Sequence, residues 1–161
     1  MQAKLYRLFL ATAGIVLAIT GVAKLLSSAG HAKILHQIDP IFSISFSSLF
    51  ILVGLLEIIV AIVCFWSKNI SSRASLVFCL ASAFVAYRVG LKMINYPRPC
   101  SCLGSLTDAL GIDAETSSRI MLVVLGYLLI GSILTLAGLC SETILKKLRS
   151  GQVVNDTYIT E

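Results

Sequence analysis

Four long apolar runs constrain this chain more than any other feature of its sequence. They cover about residues 5–26, 46–66, 74–94 and 120–140, and each has close to the roughly 20 residues that a helix needs to cross a bilayer. Because these runs fill most of the 161 residues, no separate soluble catalytic domain fits. The pattern predicts an all-α integral membrane protein. It is a four-helix transmembrane bundle over residues 1–150, with a polar cytoplasmic tail at 151–161.

The composition supports this class over a soluble or disordered chain. Charged residues make up 13% of the sequence and hydrophobic residues 57%, whereas a soluble domain carries about 25% charged residues. The net charge of +5 does not indicate nucleic acid, because the basic residues lie between apolar runs and form no arginine-rich stripe. We therefore predict membrane lipid as a partner and no nucleic acid. Small residues within the runs predict close helix contacts, namely Gly14, Gly21, Gly54, Gly126 and Gly131.

Loop charges predict the orientation, because cytoplasmic connections of membrane proteins are enriched in Lys and Arg. One side carries Lys4, Arg7, Lys68, Arg73, Lys146, Lys147 and Arg149, and the loops of the other side carry Lys33 and Arg98. The pattern predicts a multi-pass protein of the bacterial inner membrane with both termini in the cytoplasm. The connections near 27–45 and 95–119 are then periplasmic.

The first apolar run has two interpretations. Lys4 and Arg7 give a basic start, and Ser27-Ser28-Ala29 could serve as a signal-peptide cleavage site. The run is long for a signal peptide and carries Lys24 near its end, which favours an uncleaved helix. Whether the first span is cleaved stays open from the sequence.

The strongest local motif is a Cys-x-Cys pair, Cys100 and Cys102, on the predicted periplasmic side. Disulfides persist in that compartment. A disulfide across one intervening residue closes a small strained ring, and strain favours exchange over a scaffolding role. Three neighbours favour the thiolate, restrict the backbone and permit a tight turn, respectively: Arg98, Pro99 and Gly104. The motif predicts a redox-active pair.

A metal site is the main rival for this pair. Zinc takes about four ligands, and His31 and His36 in the other outer connection do not follow the spacing that places two ligands on one helical face. We therefore predict no metal site. The remaining cysteines lie within the apolar runs and are interpreted as small apolar residues, namely Cys64, Cys79 and Cys140.

Three ionisable residues interrupt the spans, and such residues are costly in a bilayer. Glu57 and Arg88 fall at similar depths and are predicted to pair, whereas Lys24 lies near an outer end, from which it can reach the headgroups or join the pair. Two roles stay open. The charges fix which helices face each other, or they form a polar pocket below the cysteines, where Arg88 promotes the thiolate or binds an electron-accepting quinone. The cofactor is otherwise unknown.

Together these residues resemble the MauE/DoxX superfamily of small membrane proteins. The resemblance rests on Gly21-Val22-Ala23-Lys24-Leu25 at the end of span one, on Glu57 in span two and on Pro99-Cys100-Ser101-Cys102-Leu103-Gly104. The last segment is similar to the MauE branch, the methylamine utilisation proteins. The resemblance implies a redox-associated inner-membrane protein linked to maturation or export of the disulfide-rich small subunit of methylamine dehydrogenase. It also implies a periplasmic thioredoxin-like partner.

Carried over by position, the resemblance implies Cys100 and Cys102 as the redox pair and Lys24, Glu57 and Arg88 as the intramembrane polar set. The expected chemistry is thiol–disulfide exchange that supports disulfide formation or maturation in partner proteins. Whether the chain is itself a thiol–disulfide oxidoreductase stays open. The alternatives are a non-enzymatic membrane assembly subunit and a small-solute transporter. The transporter is disfavoured, because the sequence has no visible repeat and no Gly/Pro-broken spans.

Overall fold

The computed structural model describes residues 2–28, 38–95 and 114–158, and in them it shows four helices. These are α1 (Gln2–Ser28), α2 (Phe46–Trp66), α3 (Ile70–Met93) and α4 (Ala114–Tyr158). Each contains a segment long and apolar enough to cross a membrane. The predicted all-α, four-helix membrane fold is confirmed, and α2 has the predicted bounds of the second span.

Local hydrogen bonds explain where the helices begin and end. The Ser28 hydroxyl donates to the Leu25 carbonyl at 2.7 Å in the last turn of α1. Ser45 caps the start of α2, where its hydroxyl accepts from the Ser48 amide at 3.3 Å. These polar residues give the helix ends partners that the apolar runs do not provide.

The helices pack as two close pairs, α1 with α2 and α3 with α4. A shared core joins the pairs and takes residues from all four helices: Leu10, Ala13, Leu17, Val60, Cys64, Ala74, Val77, Leu80, Leu125 and Leu128. Many other large apolar side chains point outward, such as Leu52 at 64% exposure. An apolar exterior of this kind is what a bundle surrounded by lipid requires.

The α1–α2 pair crosses at two glycines. A Cβ added to Gly21 would lie 2.9 Å from the Gly54 carbonyl oxygen, and one added to Gly54 would lie 3.0 Å from the Gly21 carbonyl oxygen. The two backbones therefore touch at a point where a side chain would force them apart. Gly126 behaves differently from the prediction, because a Cβ there would meet nothing within 4 Å.

Helix α4 is much longer than a span. At about 1.5 Å per residue its 45 residues extend roughly 67 Å, about twice the hydrocarbon thickness of a bilayer. Its apolar part is Ser118–Ile144. The helix continues to Tyr158 and so runs into the tail expected at 151–161. The residues just after the span are strong helix formers, Leu145-Lys146-Lys147-Leu148-Arg149, which explains the extension.

Candidate functional site

A buried ion pair joins α1 and α2. Lys24 Nζ lies 2.7 Å from Glu57 Oε1 and 2.8 Å from Glu57 Oε2. Lys24 is 4% exposed and Glu57 1% exposed. The structure thus pairs Glu57 with Lys24 rather than with Arg88, so the predicted Glu57–Arg88 pair is wrong. Lys24 is also buried instead of reaching the headgroups.

The glycine crossing explains this pairing. Lys24 follows Gly21 by three residues, and Glu57 follows Gly54 by three residues. The helices are antiparallel, since Gly14 lies beside Cys64 while Gly21 lies beside Gly54. Side chains on a helix lean toward its N-terminus, so both charged groups lean back toward the crossing and meet there. Counting depth along each apolar run cannot reveal this convergence.

A cavity of about 230 Å³ lies beside the ion pair, between the four helices. Its polar residues include Thr20, Lys24, Glu57 and Arg88, so it brings together the three predicted intramembrane charges. The remaining walls are largely apolar, with five aromatic residues among them: Phe42, Phe46, Phe50, Phe84 and Tyr87. The Lys24 ammonium lies 5.7 Å from the centre of the Phe84 ring, within range of a cation–π interaction.

A tight turn after α1 closes one end of the cavity, which we call the Asp39 end. Asp39 is fully buried, and its Oδ1 accepts from the amides of Ile41 at 2.9 Å and Phe42 at 2.8 Å. Its Oδ2 accepts a hydrogen bond from the Tyr87 hydroxyl of α3. The Phe42 ring stacks on Tyr87 with centroids 5.9 Å apart. The turn is therefore fixed to α3 by a hydrogen bond and a ring contact.

Asp39 and Tyr87 were not predicted as site residues. Asp39-Pro40 is a turn signal in the sequence, and an aspartate that bonds the amides following it is typical of such turns. Tyr87 lies 48 positions away. No local pattern connects it with Asp39, so this contact depends on the packing of α3.

The three cysteines in the described part of the chain have free thiols. Cys64 is buried in the core, as expected of a small apolar residue, whereas Cys79 and Cys140 lie on the outer surface of the bundle. The predicted redox segment lies outside the described residues, namely Arg98, Pro99, Cys100, Cys102 and Gly104. In the sequence it falls between the candidate spans Ile70–Met93 and Ser118–Ile144.

The sequence model for the methylamine utilisation protein MauE matches residues 2–141. The chain belongs to the MauE family. The match covers α1, α2 and α3 completely and most of the apolar part of α4, and thus every residue that lines the cavity. MauE membership and the four candidate spans make this a multi-pass membrane protein. Comparisons with curated proteins and with solved structures give no significant match.

Proposed function

We propose that this MauE-family protein carries out thiol–disulfide exchange through Cys100 and Cys102 and so supports disulfide formation in partner proteins. The observation that carries the proposal is the position of this pair between two membrane spans. Cys100 follows the end of α3 at Met93, and Cys102 precedes the apolar part of α4 at Ser118. A pair in such a connection can meet a partner at the membrane surface, which Cys64, Cys79 and Cys140 within the spans cannot do.

The proposed exchange proceeds through a mixed disulfide. A thiolate of the partner attacks one sulfur of the Cys100–Cys102 disulfide, a bond forms between the two proteins, and the other cysteine leaves as a thiolate. A second thiolate of the partner then attacks the mixed disulfide. The partner gains a disulfide, and Cys100 and Cys102 become a dithiol. Electrons and sulfur bonds balance without a further reagent in this half of the cycle.

The family description directs the choice of partner. Methylamine utilisation suggests the disulfide-rich small subunit of methylamine dehydrogenase as a substrate, with a periplasmic thioredoxin-like protein as the carrier. The inner membrane as location, with both termini in the cytoplasm, is part of this proposal. It is supported by the distribution of Lys and Arg along the sequence.

Trapping of the redox state in intact cells tests the exchange. A mass-tagged maleimide should show the wild-type pair oxidised, readily reduced by mild dithiothreitol, and oxidised again after the reductant is removed. Either Cys100→Ser or Cys102→Ser should abolish the cycle, and one of the two should trap a partner on a non-reducing gel. Cys79→Ser and Cys140→Ser, which remove exposed thiols within the spans, are the matched controls and should retain the cycle.

Two outcomes would contradict the proposal. The pair could stay reduced under all conditions, or both Cys100→Ser and Cys102→Ser could retain function. The second outcome would favour a non-enzymatic assembly subunit, because such a subunit holds its partner without using the two thiols.

A further inference from the structure

We infer that the cavity beside Lys24 and Glu57 is a binding site for the ring of a lipid-soluble quinone. The inference concerns binding by residues of the spans and stands on the cavity alone. The role that a bound quinone would have, as oxidant of Cys100 and Cys102, rests on the proposed function.

Access to the cavity selects a lipid-soluble ligand. Leu52 and Leu56 of α2 line the cavity and are at the same time 64% and 48% exposed on the outside of the bundle. Both residues lie within the candidate span Phe46–Trp66. The cavity therefore opens on the face that contacts hydrocarbon, and a ligand that enters there must already be dissolved in the bilayer.

The size and the walls of the cavity fit a substituted ring. A protein cavity of about 150 Å³ is large enough to bind benzene, and this one has about 230 Å³. Aromatic rings pack well against other rings in offset or edge-to-face arrangements. Phe46, Phe50 and Phe84 supply such surfaces around the space.

The charges of the cavity favour a neutral hydrogen-bond acceptor over an anion. An ammonium group has three donors, and the two carboxylate oxygens of Glu57 accept from Lys24. Within the described part of the chain this leaves one Lys24 donor for a ligand, while the positive charge is already balanced by Glu57. Arg88 contributes a second cationic side chain to the lining. A quinone carries two carbonyl acceptors on an otherwise apolar ring, which matches a mainly apolar space with cationic donors.

The reaction with the proposed redox pair balances. The dithiol of Cys100 and Cys102 gives two electrons and two protons to the quinone, which becomes a quinol, and an S–S bond forms. The chain is suited to this connection because Leu91 lines the cavity and lies in the last turn of α3, from which the sequence continues to Cys100.

Photoaffinity labelling of the full chain in lipid nanodiscs tests the site. An azidoquinone should label peptides of α2 and α3 in a saturable way, and decylubiquinone should compete. Ala83→Phe places a ring at an exposed position in the cavity lining and should weaken decylubiquinone binding about tenfold or more. Ala86→Phe is the matched control, because Ala86 is exposed on the same helix outside the lining, and it should stay within about twofold of wild type.

A second variant keeps the test decisive if Ala83→Phe does not fold. The double change Lys24→Met/Glu57→Met removes the donor without leaving a charge alone and should weaken binding about tenfold. The inference is overturned if labelling does not saturate, if oleic acid competes as well as decylubiquinone, or if Ala83→Phe and Ala86→Phe bind equally.

The Cys100→Ser/Cys102→Ser variant separates the two proposals. It should bind decylubiquinone within about twofold of wild type, because the cavity lies in the spans. Wild-type protein that binds quinone but never oxidises a partner overturns the exchange function and leaves the site. Wild-type protein that exchanges disulfides without binding quinone overturns the site and leaves the function.

Discussion

Lys24 and Glu57 meet at the point where α1 and α2 touch, and the Lys24 ammonium bonds both carboxylate oxygens at 2.7 and 2.8 Å. Each residue follows a crossing glycine by three positions. The close approach of the backbones and the ion pair are therefore one feature. The glycines bring the helices near enough for the charges to pair, and the pair offsets the cost of two charges inside the membrane.

Breaking the ion pair from one side should destabilise the bundle more than removing it entirely. Lys24→Met leaves the Glu57 carboxylate buried without its partner and should cost about 3–5 kcal/mol, whereas Lys24→Met/Glu57→Met should recover most of this loss. Thermal unfolding in nanodiscs measures the difference. Lys92→Met, at an exposed position in the last turn of α3, is the control and should change stability by less than about 0.5 kcal/mol. A double variant as unstable as Lys24→Met would contradict this account of the pair.

A single methyl group at the crossing should separate α1 from α2. In Gly21→Ala the new Cβ would lie 2.9 Å from the Gly54 carbonyl oxygen, and we expect a loss of about 1–3 kcal/mol. Gly126→Ala is the matched control within α4, because its Cβ would meet nothing within 4 Å. It should gain up to about 1 kcal/mol from helix propensity. Equal unfolding temperatures for the two variants would show that the contact is not tight.

The Tyr87 hydroxyl should hold the turn at the Asp39 end in place. Tyr87→Phe removes the donor to a fully buried Asp39 carboxylate, at a cost of about 1–3 kcal/mol. Hydrogen exchange at the Ile41 and Phe42 amides should accelerate. Tyr127→Phe is the control, because that hydroxyl bonds Thr12 between α1 and α4 at 2.6 Å. If both variants leave exchange in the turn unchanged, the hydrogen bond to Asp39 does not secure it.

Cysteine labelling should reveal the orientation expected from the loop charges. In a background without the five native cysteines, a membrane-impermeant maleimide should label Lys92→Cys in intact cells. Lys68→Cys, at the opposite end of α3, should react only after the cells are disrupted. Lys68 and Lys92 are both exposed in the structure, so burial does not confound the comparison. The reverse pattern would place both termini outside.

The spans could be predicted because bilayer thickness fixes the length of an apolar run, and α2 has the predicted bounds 46–66. Gly21 and Gly54 could be named as contact residues for a similar reason, since small residues permit close approach. Gly126 could not be separated from them, because a glycine in an apolar run looks the same whether it faces a helix or open space. The neighbour decides, and the sequence does not display the neighbour.

The candidate site was predicted only in part. Lys24, Glu57 and Arg88 stood out as charges in apolar runs, but the choice between a Lys24 and an Arg88 partner for Glu57 depends on the direction in which side chains leave two crossing helices. The cavity depends further on Asp39 and Tyr87, which lie 48 positions apart and meet through packing. Cys100 and Cys102 remain a prediction from the sequence and from the resemblance to MauE proteins.

The ion pair also constrains how the chain enters the membrane during synthesis. Lys24 and Glu57 are separated by 33 positions, so α1 emerges from the ribosome well before its counter-ion exists. A lone lysine or glutamate near the middle of a span raises the insertion free energy by about 2.5–3.5 kcal/mol on the biological scale. Insertion of α1 and α2 together removes that penalty, because the charges neutralise each other as the helices cross. The translocation machinery therefore has to release a helical hairpin rather than one helix at a time.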